Sequence, residues 1–479
     1  MSGTILPLAD DFSPPSREDW LALVEKTLKG ETFEDALVRR TVDGIAIAPL
    51  YTAAPTTVRD LSPRDPVRPW DLRTAIRHPD PVRANRQILQ DLESGAASVL
   101  VALDPAGETG VAIGDAAGLA RLLDGVLLDL APVALDAGFL GPRAADWLGA
   151  AAKGGPEAPL AFHMDPLSAF AEAGVSPGPV ESHIVSAATV GARLAGVYPK
   201  ASLMLATGRV AHEAGGSDAQ ELAMMAAAAV TYAKALVRAG LTMDEAFGRI
   251  ALGVTVDGEY FTGVAKVRAA RALWARITGA CGVGVPARIE ARSSRRMLTR
   301  LDPWTNLIRL TAAGFAAAVG GANAIVLNAF TDALGLPTDF ARRQARNTQL
   351  VLMEESHLGR VADPAGGAWY LDQLTDDLAR AAWTRFQAIE AAGGIIAALA
   401  SGAIANDVAA SREAAQAAVK DGRVKLLGVT VFRDAEARPV EVETAAPVAV
   451  AGPQVRLPGP DSVCPPLTPA RLSAAFEEA

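Results

Sequence analysis

Polar side chains follow several of the apolar segments in this sequence, where they could bind or activate a substrate. Arg209 and His212, directly after the segment SLMLATG (202–208), are the most distinctive pair. A guanidinium can bind a carboxylate through two parallel hydrogen bonds, and an imidazole can exchange a proton near neutral pH. In the alternative, structural interpretation, His212 and Glu213 cap or orient the next helix. His163 could likewise be a base, although a hydrogen-bonded histidine near the core is the more ordinary interpretation.

The other candidates share a position at the end of an apolar segment: Asp104, Asp136, Asp165, Asp257, Arg292, Ser293 and Asn328. Arg73, Arg209 and Arg292 are the candidates for binding an anionic substrate group. A basic cluster at 288–300 could contact a phosphate or a partner's carboxylate; a solvated strand end or an internal ion-pair network is the alternative. No group of cysteines and histidines has the spacing of a metal site, so no metal is expected.

Eight short apolar segments alternate with helical patterns and would position these residues. Continuous apolar strands with helices between them indicate a parallel sheet, and eight such units close into a (β/α)8 TIM barrel of the α/β class. Such barrels place their working groups at the carboxyl ends of the strands. The predicted strands are 98–104, 131–136, 159–165, 202–208, 249–257, 287–293, 323–330 and 425–432.

The barrel is predicted to span residues 84–433, with an insertion of about three helices between 330 and 425. Residues 1–83 are expected to form an N-terminal helical and extended arm, in which Ser16 and Asp19 provide a capping box and the proline-bearing stretch 54–82 wraps the barrel. Residues 434–479 are expected to form an extended C-terminal tail.

Composition excludes several classes of function. The 479 residues carry a net charge of −9, which argues against nucleic-acid binding. The longest apolar run, GGIIAALASGAIA (393–405), is too short to span a membrane. Two cysteines far apart make no disulfide framework, and the acidic N-terminus does not resemble a secretory signal. A cytoplasmic protein is expected.

Several motifs in this sequence closely resemble the methylmalonyl-CoA mutase family. The most informative are LPTDF (336–340), RNTQ (346–349) and DPAGG (363–367). The similarity extends, in order, from residue 16 to near residue 432 and includes RPWDLR (68–73) and HEAGGSDAQELA (212–223). The resemblance implies the same barrel. It also implies chemistry in which catalytic chains bind adenosylcobalamin and an acyl-CoA, and a radical formed in the barrel moves the carbonyl-thioester group to the neighbouring carbon.

The sequence departs from the family pattern where that chemistry is expected. The family's histidine after strand four corresponds to Val210 here, and His212 lies two residues later. The tyrosine-bearing segment before RPW is missing, and the family's ThrHisSer after an arginine is Ser293, Ser294 and Arg295. The family's HisThr before the asparagine of strand seven is Val326 and Leu327. No catalytic residue is therefore expected in this chain, with His212 as the weak exception.

The family's cobalt ligand is a histidine within AspXaaHisXaaXaaGly in a C-terminal flavodoxin-like domain. This sequence has no such motif and no histidine after His357. We therefore expect no flavodoxin-like cobalamin domain here, and adenosylcobalamin would be bound by a partner.

The resulting hypothesis is a small, non-catalytic subunit that supports the catalytic large subunit of a heterodimeric mutase converting methylmalonyl-CoA to succinyl-CoA. One alternative is an active large subunit of a split acyl-CoA mutase, with cobalamin on a separate chain and His212 replacing the family histidine. A second alternative is a CoA-binding or regulatory module. A neighbouring reading frame would discriminate between the first two hypotheses.

Overall fold

Eight parallel strands close into a barrel in the computed structural model, which describes residues 16–477 except 53–64, 66, 154, 156, 435, 437 and 447. β8 pairs with both β7 and β1, which closes the sheet and confirms the predicted (β/α)8 barrel. The strands are β1 (Asp71–Ile76), β2 (Ser98–Ala102), β3 (Val133–Asp136), β4 (Ala161–Met164), β5 (Ser202–Thr207), β6 (Ile250–Val256), β7 (Ile289–Ser293) and β8 (Ala324–Val326).

Two strand assignments made from the sequence are wrong. The segment 425–432 forms turns with one isolated bridge between Leu427 and Val431, and it lies outside the barrel. The true first strand, β1, lies in the stretch that had been assigned to the extended wrapping segment, so the barrel begins at residue 71 rather than 84. β1 escaped detection because Asp71 and Arg73 interrupt its apolar pattern. Arg73 pairs both with Asp71 and with Glu290, which is remote in sequence.

The described α-helices pack mostly around the barrel, and several of them are rich in alanine. They are Arg17–Leu28, Phe33–Leu37, Pro81–Glu93, Ala116–Leu122, Gly141–Ala151, Pro166–Ala173, Val180–Ala195, Arg209–Glu213, Asp218–Arg238, Met243–Gly248, Tyr260–Ala280, Asn306–Gly320, Asp339–Leu350, Trp369–Ala391, Ile395–Ala400, Ala403–Lys420 and Ala474–Glu477. Four of them follow β8 before residue 425, where about three were predicted. Helix Asp218–Arg238 is the most deeply buried, because its alanines allow close packing against β5 and helix Trp369–Ala391.

The two flanking segments attach to the barrel differently. Helix Arg17–Leu28 begins at the predicted capping box of Ser16 and Asp19, but none of its residues is buried. The described residues of the C-terminal tail cross the segments that follow several strands: Val450 N–H donates to Pro105 O, Leu457 N–H to Pro177 O, and Ala470 N–H to Glu213 O. The tail is therefore tied to the carboxyl-terminal face of the barrel.

Candidate functional site

Charged side chains from opposite ends of the barrel sequence meet inside it. Asp71 and Arg73 are two residues apart on β1, so both side chains lie on the inner face of the barrel. Glu290 and Arg292 have the same arrangement on β7. Arg73 donates to Glu290 at 2.5 Å and to Asp71 at 2.6 Å, and its Nε donates to Ser98 at 2.8 Å. Because Arg73 and Glu290 are nearly inaccessible to solvent, these bonds form in a low-dielectric interior.

The network continues from β7 to β3. Arg292 donates from Nε to Glu290 and from Nη1 to Asp136, both at 2.7 Å. Arg209 lies farther out, with its Nη2 3.6 Å from Asp136. Burial opposes ionisation of Glu290, but Arg292 and Arg73 hold the pKa of this carboxyl well below its usual range. The structure thus brings together all three arginines that were predicted as substrate-binding candidates, and each faces a carboxylate of the chain itself.

This network separates two cavities. One, of about 660 Å³, opens at the carboxyl-terminal face and is lined by residues that include Arg77, Asn328 and Asp332. The other, of about 540 Å³, lies at the opposite end and is lined by residues that include His163 and Glu290. Arg73 lines both cavities. The salt bridges of Arg73 therefore lie between the cavity at the carboxyl-terminal face and the cavity at the opposite end.

His163 lies beside this network on β4, in a left-handed backbone conformation with φ 46°. The register of β4 against β5 shifts between Ala161 and Met164, so the strand is irregular at this residue. The imidazole Nδ1 is 3.9 Å from Glu290. Burial, together with the charges of Arg73 and Arg292, lowers the pKa of His163 to about 4 despite the opposing charge of Glu290. The neutral imidazole is therefore the stable form in the folded protein.

We expect His163 to make the protein less stable in acid. Its pKa falls from 6.5 to about 4 on folding, so the unfolded chain binds the additional proton and stability is lost as pH falls through that window. The His163→Asn variant, which keeps a residue tolerant of the left-handed conformation, should lack this loss of about 3 kcal/mol. The measurement is urea unfolding of both proteins at pH 7.5 and pH 4.5.

Asp165 has the opposite effect on the pH dependence of stability, because its pKa is raised on folding. Burial raises the pKa of this carboxyl to about 6, despite hydrogen bonds from Ser168 and Tyr232. Both the unsubstituted chain and His163→Asn contain Asp165. The difference between their free energies of unfolding therefore measures the contribution of His163. If this difference in the free energy of unfolding is the same at pH 7.5 and at pH 4.5, the prediction is wrong.

His212 belongs to a second cluster, outside the barrel strands. Its side chain is fully buried; Nε2 lies 2.9 Å from Ser294 Oγ and Nδ1 lies 3.3 Å from Glu221. Val210, at the family histidine position, is buried in the same short helix. Glu213 accepts the backbone N–H groups of Arg295 and Arg296. His212 and Glu213 thus join the segment after β5 to the segment after β7.

Lys266 occupies the centre of this cluster. Its ammonium is 2.5 Å from Asp218 and 2.7 Å from Glu221, and both Lys266 and Glu221 are buried. Among the described residues, His212, Asp218 and Glu221 form the one set of ligand atoms close enough to hold a metal ion. Lys266 places its charge against the two carboxylates, so in this chain the ammonium compensates the charge that a metal would otherwise balance.

Sequence reasoning missed Glu290, Asp71, Glu221 and Lys266. Glu290, Glu221 and Lys266 are charged residues at positions that the surrounding pattern marks as buried, as Lys266 is within the helix Tyr260–Ala280. A buried charge requires a compensating partner, so this pattern was an available signal. The members of the predicted basic cluster at 288–300 have different surroundings. Arg292 points into the barrel, whereas Arg296 donates to the carbonyls of His212 and Gly216 at 3.1 and 2.8 Å.

The histidines of the described chain do not fit a cobalt ligand. His78, His163, His183 and His212 are all at least 93% buried, with exposed fractions of 7, 6, 3 and 0%. His357 is exposed, but its sequence SHLG lacks the family's cobalt-ligand motif. Among the residues that the structure describes, no helix is long and apolar enough to cross a membrane.

Comparison with known proteins gives consistent results. The family described as methylmalonyl-CoA mutase matches residues 58–457. The methylmalonyl-CoA mutase small subunit of Streptomyces virginiae is 39% identical, over 95% of this chain and 77% of its own length. That of Propionibacterium freudenreichii subsp. shermanii is 36% identical over 82% of this chain, and the methylmalonyl-CoA mutase of Escherichia coli is 30% identical over 87%.

The chain spans less than two thirds of two of these relatives, 65% of the Propionibacterium protein and 64% of the Escherichia coli protein. The family model nevertheless covers most of the chain, and the family depends on adenosylcobalamin. The chain belongs to the methylmalonyl-CoA mutase family.

Proposed function

We propose that this chain is the small, non-catalytic subunit of a cytoplasmic heterodimeric methylmalonyl-CoA mutase. Its partner is the catalytic large subunit, which binds adenosylcobalamin and converts methylmalonyl-CoA to succinyl-CoA. The role of this chain is to stabilise the partner through their interface, since binding to a folded state stabilises that state by mass action.

The ion network inside the barrel is the observation that carries this proposal. Radical chemistry in the barrel requires an interior that admits a substrate and excludes water. Here Arg73, Glu290 and Arg292 occupy the interior with direct hydrogen bonds of 2.5 to 2.7 Å. An acyl chain passing between the two cavities would have to separate these buried charges, which is energetically costly.

The individual candidate residues support the same interpretation. Arg73 and Arg292 use their guanidinium groups on Asp71, Glu290 and Asp136, so a substrate carboxylate would compete with existing ion pairs. Val210 has no proton to exchange, and the buried His212 is engaged by Ser294. We infer that none of these residues takes part in the reaction.

The N-terminal arm offers a surface for the partner. Helix Arg17–Leu28 buries none of its residues, and Leu23 is 63% exposed. Trp20, Leu21 and Val24 are partly exposed at neighbouring positions of this helix. An apolar helix surface of this kind is typical of a protein interface. We therefore infer that the arm contacts the large subunit.

Reconstitution tests this proposal. Isomerase activity is measured with adenosylcobalamin and methylmalonyl-CoA for this chain, for the candidate large chain, and for their mixture. We expect activity in the mixture and not from this chain alone. The His212→Gln variant, added at saturation, should leave kcat of the mixture unchanged. Activity of this chain with a separate small cobalamin protein, lost in His212→Gln, would contradict the proposal.

The interface is tested with a matched pair of variants. Leu23→Asp places a charge on the arm, and we expect it to weaken association with the large chain at least tenfold. Val185→Asp, at a residue 62% exposed on a barrel helix, is the control and should bind as the unsubstituted chain does. Sedimentation of the mixtures measures both affinities, and equal affinities of the two variants would exclude the arm from the interface.

A further inference from the structure

Three arginines at the carboxyl-terminal mouth of the barrel lack the close carboxylate partners that Arg73 and Arg292 have. Arg77 directly follows β1, Arg295 follows β7, and Arg209 follows β5. β7, β8 and β1 are neighbours in the barrel, so Arg77 and Arg295 lie on either side of the end of β8. Arg77 and Arg295 lie outside the ion network inside the barrel, whereas Arg209 lies at the edge of that network.

The contacts of these arginines are long or absent among the described residues. Arg77 Nη1 is 3.4 Å from Asp332, and Arg209 Nη2 is 3.6 Å from Asp136, which already accepts from Arg292 at 2.7 Å. Charge-assisted hydrogen bonds are normally about 2.7–2.9 Å long. The side chain of Arg295 makes no hydrogen bond or ion pair with any residue in the described part of the chain, and the buried Nε of Arg209 has no partner there.

The positive charges of Arg77 and Arg295 are only partly compensated by the nearby carboxylate of Asp332. Burial, followed by repulsion from Arg295, lowers the pKa of Arg77 to about 9 even though Asp332 lies nearby. Burial also raises the pKa of Asp332 above its ordinary value, against the influence of Arg77 and Arg295. A single carboxylate that itself resists ionisation compensates two guanidinium groups poorly.

Arg77 and Arg295 line the 660 Å³ cavity, whose volume is in the range of small-molecule sites. Its other walls are partly apolar, with Leu327, Leu336 and Ala345, and the tail contributes Ala445. The cavity therefore has both cationic groups and apolar side chains in its lining and is large enough for an organic molecule.

We propose that Arg77 and Arg295 bind the phosphate or carboxylate group of a small organic anion whose apolar part lies in this cavity. The planar guanidinium matches both oxyanions through paired hydrogen bonds. The proposal is independent of the role as a subunit, because it concerns a site that this chain forms by itself.

Calorimetric titration of the full chain tests the site with phenyl phosphate and with benzoate as probes. We expect saturable binding of at least one probe, and the probe that binds more tightly identifies the preferred anion. Arg77→Gln and Arg295→Gln should each weaken that binding at least tenfold. Arg423→Gln removes a surface arginine that pairs with Asp421 and should bind as the unsubstituted chain does.

Arg295 is exposed, so Arg295→Gln keeps the test valid if Arg77→Gln fails to fold. The absence of saturable binding by both probes, or unchanged affinity in Arg295→Gln, would overturn the proposal.

Discussion

Replacing Glu290 by glutamine should lower the free energy of unfolding by about 3–5 kcal/mol, the usual cost of removing one member of a buried ion pair. Glu290 accepts from both Arg73 and Arg292, and its side chain is 2% exposed. The amide of glutamine carries no charge, so the buried guanidinium groups of Arg73 and Arg292 would lose a shared negative partner. Urea denaturation at pH 7.5 measures the loss.

A surface pair and an apolar replacement provide the controls. Glu157→Gln removes the partner of Lys200 at a site 71% exposed and should change stability by less than about 0.5 kcal/mol. The double variant Arg73→Met, Glu290→Leu removes both charges of the central pair and should recover part of the loss, since apolar groups can replace a buried pair. A loss below about 1 kcal/mol in Glu290→Gln would show that the network contributes little to stability.

Lys266→Met should have an effect of similar size, about 3–5 kcal/mol, for the opposite reason. The ammonium compensates Asp218 and Glu221 at 2.5 and 2.7 Å. Burial opposes ionisation of Glu221, and Lys266 is the chief group that holds the pKa of this carboxyl below its usual range. Without Lys266, two carboxylates would face each other in a buried site.

The same variant should gain a response to metal ions. His212, Asp218 and Glu221 could then coordinate a divalent cation in place of the ammonium. At a zinc concentration about 100-fold above Kd, binding would restore about 2.7 kcal/mol. Thermal unfolding with and without zinc measures this, and the unsubstituted chain should not be stabilised. If zinc leaves Lys266→Met unchanged, the three ligand atoms do not form a usable site.

The barrel was predictable because its signal is local and repeated. Apolar segments of strand length alternate with helical patterns, and seven of the eight predicted segments contain a barrel strand. Capping is equally local, so the start of helix Arg17–Leu28 was readable from Ser16 and Asp19. The eighth strand failed for a physical reason. The segment KLLGVTVF (425–432) has an apolar pattern but is not part of the sheet. β1 is part of the sheet, but charged residues interrupt its apolar pattern.

By itself, the sequence determined the barrel architecture, the family, and the valine at the position of the family histidine. The tertiary structure alone decided which charges are paired. Arg73 and Glu290 are 217 residues apart in sequence, and Lys266 and Glu221 lie on separate helices. Coulomb energy depends on distance and on exclusion from water, and neither is encoded by spacing along the chain. Folding alone therefore distinguishes the arginines that have close carboxylate partners from those that do not.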